Sequence, residues 1–290
     1  EREGSTNQVL ELLNLPGKRV KPKLAKWKQF VRNTQATDEI KIAVVGKYFK
    51  TGDFVLSDVY LSVIEALKFS AAHLKKKPVL EWISSQDIES GKVQLKEFNA
   101  YDGILVPGGF GETGIEGKIK VIEYARKKKI PYFGLCYGMQ LLVIEYARNV
   151  LKLKDAHTTE INPETKDPLV YIMPSQRKNL ENDNYGGSMR LGSYPAEIKK
   201  GSVARSAYRQ EAVVERHRHR YEVNPEYVER LEKKGLVFSG TSPDGRLMEI
   251  AELPKKEHPF FLGTQFHPEF LAHPLKPHPL FTAFLKAASN

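Results

Sequence analysis

One cysteine stands in the 290-residue chain, and its neighbours have the spacing of a nucleophile site. Cys136 lies in Gly134-Leu135-Cys136-Tyr137-Gly138, between a short apolar run (Tyr132–Leu135) and a helical run from about Gly138 to Leu151. G-x-C-x-G is the nucleophile-elbow pattern with sulfur in place of oxygen. A sharp strand-to-helix turn leaves no room for a Cβ at the flanking positions and pushes the nucleophile clear of the backbone. It also sets the sulfur at a helix N-terminus, which favours negative charge there. A plain core cysteine would need neither glycine. Among eight histidines the best general base and acid is His267, in Q-F-H-P-E-F after a core-type strand. Pro268 biases His267 towards extended backbone, where positions i and i+2 project to one side. Glu269 can therefore orient the ring nitrogen that faces away from the sulfur. Cys136 as nucleophile, His267 as base and acid and Glu269 as orienter form an acyl-transfer set. The N–H of Tyr137 and the backbone at Gly109, in the Gly108-Gly109-Phe110-Gly111 loop, are the candidate oxyanion donors.

The elements that must position these residues alternate. Apolar strands are read at Ile40–Val45, Pro78–Ile83, Gly103–Val106 and Tyr132–Leu135, with helices at Ser57–His73 and Ile115–Lys128 between them. Such alternation predicts an α/β fold: a mostly parallel central sheet with helices on both faces and chemistry at the C-terminal strand ends. Asp155–Tyr185 reads as loop-rich. Ser188–Leu253 is short and β-like, a smaller antiparallel β region in the C-terminal half, interrupted by a helix at Pro225–Lys234. Phe260–Phe266 reads as a strand returning to the main sheet, and Pro279–Ala288 as a closing helix. Residues 1–36 are polar and basic, too poor in apolar residues for a core of their own. They read as the tail of a preceding domain and a linker. Residues 37–290 form the domain proper, and Glu1 in place of Met suggests a longer chain.

Composition excludes several classes. The net charge of +10, from 45 Lys+Arg against 35 Asp+Glu, sits largely in lysine clusters at predicted helix ends. No basic run is interleaved with stacking aromatics, so no nucleic-acid partner is expected. A single cysteine excludes an internal disulfide framework and fits a reducing compartment. No apolar run has transmembrane length and the start is not a signal peptide, so no membrane partner and a cytoplasmic location are expected. His217 and His219 share a strand face in R-H-R-H-R but lack a third ligand at metal spacing, so no metal is expected.

Taken together, G-L-C-Y-G-M-Q, P-G-G-F-G and Q-F-H-P-E resemble the class I (triad) glutamine amidotransferases, whose fold is flavodoxin-like. S-V-I-E-A-L at 62–67, G-S-M-R-L-G at 187–192 and V-E-R-H-R-H-R-Y-E-V-N at 214–224 narrow the resemblance to the CTP synthase family. The likeness runs from about Ile40 to the C-terminus, and residues 1–36 are similar to the end of that family's ligase domain. The resemblance implies L-glutamine as substrate, a thioester on Cys136, and ammonia delivered to a UTP phosphorylated by ATP on the ligase domain. It implies Glu160 and Arg220 as holders of the glutamine α-amino and α-carboxylate groups. One acid and one guanidinium suit a zwitterion. By the same likeness Gly109, Phe110, Tyr137, Gly138, Met139 and Gln140 line the rest of the pocket. No cofactor is implied for the glutaminase step. ATP, Mg2+ and UTP are implied on the ligase domain, GTP as allosteric effector, and a homotetramer for the full-length enzyme.

Two departures stand out. Tyr137 replaces the family's usual Leu, and Thr113 stands where the family pattern G-x-R-G-x-E-G has Arg in the loop tied to GTP activation. Lys118 is the nearest basic residue in sequence that could take over. A stand-alone γ-glutamyl hydrolase and a non-catalytic interaction module of the same fold are the alternatives. The first would not need residues 1–36, and the second predicts erosion of the triad or of the zwitterion clamp.

Overall fold

Five apolar segments lie side by side as parallel strands, and those inside the sheet are buried on both faces, the condition of a parallel sheet covered by helices. In the computed structural model the described residues are 5–15, 24–47, 50–51, 54–55, 60–109, 111–172 and 189–290. The parallel strands are β1 (Glu39–Gly46), β4 (Lys77–Ser84), β5 (Gly103–Val106), β6 (Tyr132–Leu135) and β14 (Phe261–Thr264). A two-residue pair, β2 (Lys50–Thr51) and β3 (Phe54–Val55), stands apart from them. The main sheet continues through β9 (Arg190–Ile198), β10 (Ala212–His219), β12 (Val237–Thr241) and β13 (Met248–Glu252), all antiparallel to their neighbours. The strand order is β10-β9-β12-β13-β14-β6-β5-β1-β4. The expected antiparallel region is thus an extension of the parallel sheet, joined through β13 and β14.

A further small sheet was not foreseen. β7 (Ala156–Thr158) and β8 (Asp167–Ile172) pair parallel, and β11 (Tyr221–Val223) pairs antiparallel with β8. Both β7 and β8 fall in the stretch read as loop. They are short, and Pro163 and Pro168 interrupt any alternation. What recruits them is tertiary: Ala156, Leu169 and Val170 are fully buried in the core beneath the sheet.

The helices segregate by face. α5 (Ile115–Lys128) and α6 (Tyr137–Asn149) pack on the side of Ala43, Val45 and Ile104, while α3 (Leu61–His73) and α9 (Pro279–Ala288) pack on the side of Ile40, Ile42 and Val44. That is the period-2 alternation of β1 seen from its two faces. The expected start of α3 at Ser57 lies outside the described residues. α4 (Ser85–Glu89), α7 (Val203–Tyr208) and α8 (Pro225–Glu232) complete the domain. α7 is too short to show a periodic stripe. It is fixed instead by Glu252, whose buried carboxylate accepts the N–H groups of Val203 at 2.6 Å and Ala204 at 3.0 Å. At the start of the chain, α1 (Ser5–Leu12) and α2 (Leu24–Asn33) lie outside both apolar clusters, and α2 buries no residue fully. Phe30 rests on Phe69 and His73 of α3, ring centroids 6.1 and 6.2 Å apart.

The turn from β6 into α6 is tightly packed against backbone. A Cβ on Gly138 would lie 2.3 Å from the Val106 carbonyl oxygen, and one on Gly134 would lie 2.7 Å from the Gly138 carbonyl. Both obstacles are backbone and cannot swing away. A Cβ on Gly109, by contrast, would meet only the Lys47 side chain at 3.7 Å. Gly138→Ala is therefore expected to cost about 3 kcal/mol or more, the upper end for overpacking, whereas Gly109→Ala leaves stability within about 0.5 kcal/mol of the wild type. Urea or thermal unfolding of the two variants checks this; equal stability would show that the elbow can relax.

Candidate functional site

Four parallel strands deliver residues to one end of the sheet. β1 leads to Lys47, β5 to Gly108 and Gly109, β6 to Cys136, and β14 to Gln265 and His267. Crevices at the carboxyl ends of such strands are where open α/β sheets bind ligands.

Cys136 adopts φ 50° and ψ −99°, a positive φ that L-residues rarely take. Its N–H donates to the Thr264 carbonyl at 2.6 Å, and its own carbonyl accepts from Met139 and Gln140 at 3.1 and 3.2 Å, opening α6. The residue is 3% exposed. His267 stands against it across Gly108: a Cβ at Gly108 would touch His267 Cε1 at 2.9 Å and Cys136 Cβ at 3.6 Å. The His267 N–H donates to Arg216 O at 2.8 Å, its Nδ1 meets Glu269 Oε1 at 2.7 Å, and Phe270 stacks on the ring at 5.0 Å. Burial disfavours the imidazolium, but the charges of Glu269 and Cys136 and hydrogen bonds to both outweigh it, so His267 titrates well above the usual imidazole range. The i, i+2 geometry expected of His267 and Glu269 is present, although Pro268–Leu271 is a 3-10 turn rather than extended chain.

Beyond the sulfur, a loop carries polar groups converging on Gly111. Its N–H donates to Glu160 Oε1 at 3.1 Å, and its carbonyl accepts from Lys47 Nζ at 3.2 Å and the Tyr137 hydroxyl at 3.4 Å. Burial raises the Glu160 pKa, opposed by the Gly111 N–H and by the nearby charges of Lys47 and Arg220. Glu160 and Arg220, sixty residues apart in the chain, thus face the same space. Of the predicted lining residues, Tyr137 follows the cysteine at the start of α6, Gly109 lies beside Lys47 and next to Gly108, Gly138 and Met139 are buried against β5 and β14, and Phe110 lies outside the described residues. Gln140 is buried too, but its amide donates to the Tyr221 carbonyl at 3.0 Å and to Gln265 Oε1 at 3.2 Å. Thr113 is exposed on the loop, whereas Lys118 is 1% exposed beneath the ring of Tyr137, 5.4 Å from its centroid. Burial, and then the charge of Lys47, bring Lys118 down to about 7.

His217 and His219 turn to each other, Nδ1 to Nε2 at 2.9 Å. They adjoin a buried cluster in which Arg190 lies 2.7 Å from Glu249, close but not aligned as a hydrogen bond. Burial and the Arg190 charge lower the two imidazoles to about 2 and about 3, so both are neutral and their approaches to Glu249 and Glu222 are not ion pairs. No group of three or more potential metal ligands occurs among the described residues. Sequence reasoning assigned no role to Lys47 or Gln265. Gln265 stood in the quoted Q-F-H-P-E string; Lys47 follows Gly46 at a strand end, a position whose chemistry only the fold reveals.

The family model for glutamine amidotransferase class I matches residues 55–287. A CTP synthase of Sulfurisphaera tokodaii is 49% identical over 291 residues, covering 100% of this chain and 52% of its own length. One of Pyrococcus abyssi is 50% identical over 292 residues with the same coverage. The chain spans about half the length of the curated relatives it matches. Among solved structures, the glutaminase domain of Trypanosoma brucei CTPS with bound acivicin superposes with a TM-score of 0.77 at 36% identity, covering 86% of this chain and 94% of that one.

A raised imidazole pKa has a stability signature. An imidazolium favoured by the fold contributes stability that is complete below the unfolded value, about 6.5, and is lost as pH rises through the folded value. Glu269→Gln, which removes the negative charge that most favours the His267 imidazolium, is expected to cost about 2 kcal/mol at pH 6 and progressively less towards alkaline pH. Urea titrations of wild type and variant at pH 6 and at alkaline pH measure the difference; a gap that widens with pH would contradict the assignment.

Proposed function

The chain belongs to the class I glutamine amidotransferases, among the glutaminase domains of CTP synthases, and we propose on that premise that it hydrolyses the side-chain amide of L-glutamine through a thioester on Cys136. The observation that carries the proposal is the strained, elbow-borne Cys136 facing an imidazole that Glu269 holds at 2.7 Å and that titrates high. In the proposed reaction the Cys136 sulfur attacks the amide carbon and the carbonyl oxygen gains negative charge. The N–H of Tyr137 and the backbone at Gly109 are the proposed donors to that oxyanion. The His267 imidazolium gives its proton to the amide nitrogen, the C–N bond breaks and ammonia leaves. Neutral His267 then takes a proton from water as the hydroxide adds to the thioester. Collapse of that adduct expels the sulfur anion and releases glutamate.

Glu160 and Arg220 are proposed to hold the α-amino and α-carboxylate groups, with Gly109, Phe110, Tyr137, Gly138, Met139 and Gln140 around the side chain. The charge of Arg220 acts on Glu160, and both charges act on Tyr221, which supports their placement around one space. For the whole enzyme we propose that the ammonia aminates UTP to CTP at the expense of ATP on a ligase domain of the same chain, with Mg2+ there, in a homotetramer in the cytoplasm. Residues 1–36 are then the tail of that ligase domain and 37–290 the amidotransferase domain. The exposed Leu12, Leu13, Trp27 and Val31 support a partner for the first segment. No helix among the described residues is long and apolar enough to cross a membrane.

Treatment with a glutamine-like diazoketone is expected to add one mass equivalent at the Cys136 peptide, and Arg220→Ala to slow that labelling at low reagent by at least about tenfold, the worth of one charge-assisted contact. No adduct at Cys136 in the wild type would sink the reading. GTP is proposed as a weak effector, because Thr113 cannot make a guanidinium's paired contacts to an anion and Lys118 is buried under Tyr137. Thr113→Arg in the full-length enzyme is expected to strengthen GTP activation of glutamine-dependent CTP formation; a full response in the wild type would place control elsewhere.

A further inference from the structure

Among the described residues, the Gln265 side chain reaches the Cys136 sulfur as well as His267 does. Gln265 is completely buried, directly after β14, and its Nε2 lies 3.7 Å from Sγ. Its backbone is pinned on both sides: its N–H donates to Glu249 O at 2.8 Å, and the preceding Thr264 carbonyl holds the N–H of Cys136 at 2.6 Å. The backbone from which the side chain departs is therefore fixed beside the elbow.

A glutamine amide presents either NH2 or C=O, and the two ends are told apart by what surrounds them. Here the surroundings decide. The Tyr221 carbonyl can only accept, so Gln140 turns its NH2 towards it, at 3.0 Å. The other hydrogen of that NH2 points at Gln265, 3.2 Å away, so Gln265 must offer its Oε1. That leaves the Gln265 NH2 on the sulfur side. The reverse orientation would set two NH2 groups face to face and a carbonyl oxygen against the sulfur. The Tyr221 carbonyl is itself held by a second donor, His219 Nδ1 at 3.2 Å, and neutral His219 accepts at Nε2 from His217. The relay runs one way throughout: donors converge on Tyr221 O, and the last free donor faces Sγ.

We propose that Gln265 is a further catalytic residue, an amide donor that stabilises the negative charge of the Cys136 sulfur, and that Gln140 is the positioning residue that keeps the donor end inward. The proposal rests on the reading of Cys136 as nucleophile. The role is needed twice in each turnover, before attack and again when the thioester collapses and the sulfur leaves as an anion. His267, an imidazolium again once it has taken a proton from water, faces the same anion, and Gln265 adds a second donor that keeps its hydrogens throughout the cycle. A neutral amide in an enclosed site makes a hydrogen bond to an ion stronger than one between neutral groups.

The test is the pH dependence of Cys136 alkylation by iodoacetamide in the full-length protein, followed by mass at the Cys136 peptide. Gln265→Met keeps the volume and removes the donor. It is expected to slow alkylation about tenfold at pH 6.5, the lower end for one hydrogen bond to an ion, with the rates converging or crossing by pH 9.5, where an unassisted thiolate is the better nucleophile. Gln265→Glu, which faces the sulfur with a carboxyl, is expected to slow it further at neutral pH. Gln140→Met, which only frees the Gln265 amide to turn, should fall between wild type and Gln265→Met. A rate–pH profile of folded Gln265→Met that superimposes on the wild type overturns the proposal. Should that variant not fold, an unchanged profile for Gln140→Met overturns it instead. A merely structural Gln265 would lower the melting temperature without altering the shape of the profile. Failure of the wild type itself to be labelled by the glutamine analogue would strike the nucleophile reading, a separate outcome.

Discussion

Holding Cys136 at φ 50° and ψ −99° is the constraint on which the rest of the site depends. Sparsely populated backbone of this kind costs about 1–3 kcal/mol and persists only where the surroundings over-determine it. Three features do so here. The Cys136 N–H is fastened to Thr264, its carbonyl starts α6, and the backbone at Gly134 and Gly138 closes on its neighbours with no space for a Cβ. The same fastening brings β14 alongside β6, which is why His267 and Gln265, about 130 residues later, arrive beside the sulfur. The strain and the long-range pairing are one arrangement seen from two ends.

Once assembled, the site is governed by desolvation. His267, Glu269 and Gln265 are all buried, and so are the carboxylates and imidazoles behind them. In such a place an unpaired charge is costly and a paired one is strongly held. That is how one carboxylate at 2.7 Å, with the sulfur, overrides the burial that would otherwise keep His267 neutral. Histidines 217 and 219, near enough to feel the His267 charge, show the opposite outcome. Lacking an aligned carboxylate and facing the Arg190 charge, they stay neutral and serve as oriented hydrogen-bond donors and acceptors. Histidines of one chain thus take opposite charge states from burial and partner alone.

Strands and helices with dense apolar content were legible along the chain. Gly103–Val106, Tyr132–Leu135, Ile115–Lys128 and Pro279–Ala288 have the same bounds in sequence and in structure. Each is punctuated by glycine or proline and buried along its whole length or along one stripe. The small sheet of β7, β8 and β11 was not legible, because its strands are three to six residues long and owe their existence to the core beneath them. Nor was α7, only six residues long, whose first turn is held by the Ser202 cap together with Glu252, about fifty residues later in the chain.

The sequence alone determined the longer apolar elements, the elbow and the chemistry available, because these rest on local sterics: a Cβ that does not fit, a proline that sets φ, a period of two or of 3.6. Tertiary structure alone decided which residues meet. Glu160 and Arg220 share a space only because β7 and β11 are both joined to β8. The antiparallel strands extend the main sheet because β13 pairs with β14, a choice between edges that no local pattern encodes. Gln265 faces sulfur with nitrogen and not oxygen because a carbonyl at Tyr221, reached through Gln140, admits only donors. Such orientation is a property of a closed hydrogen-bond network, and a network exists only once the chain has folded.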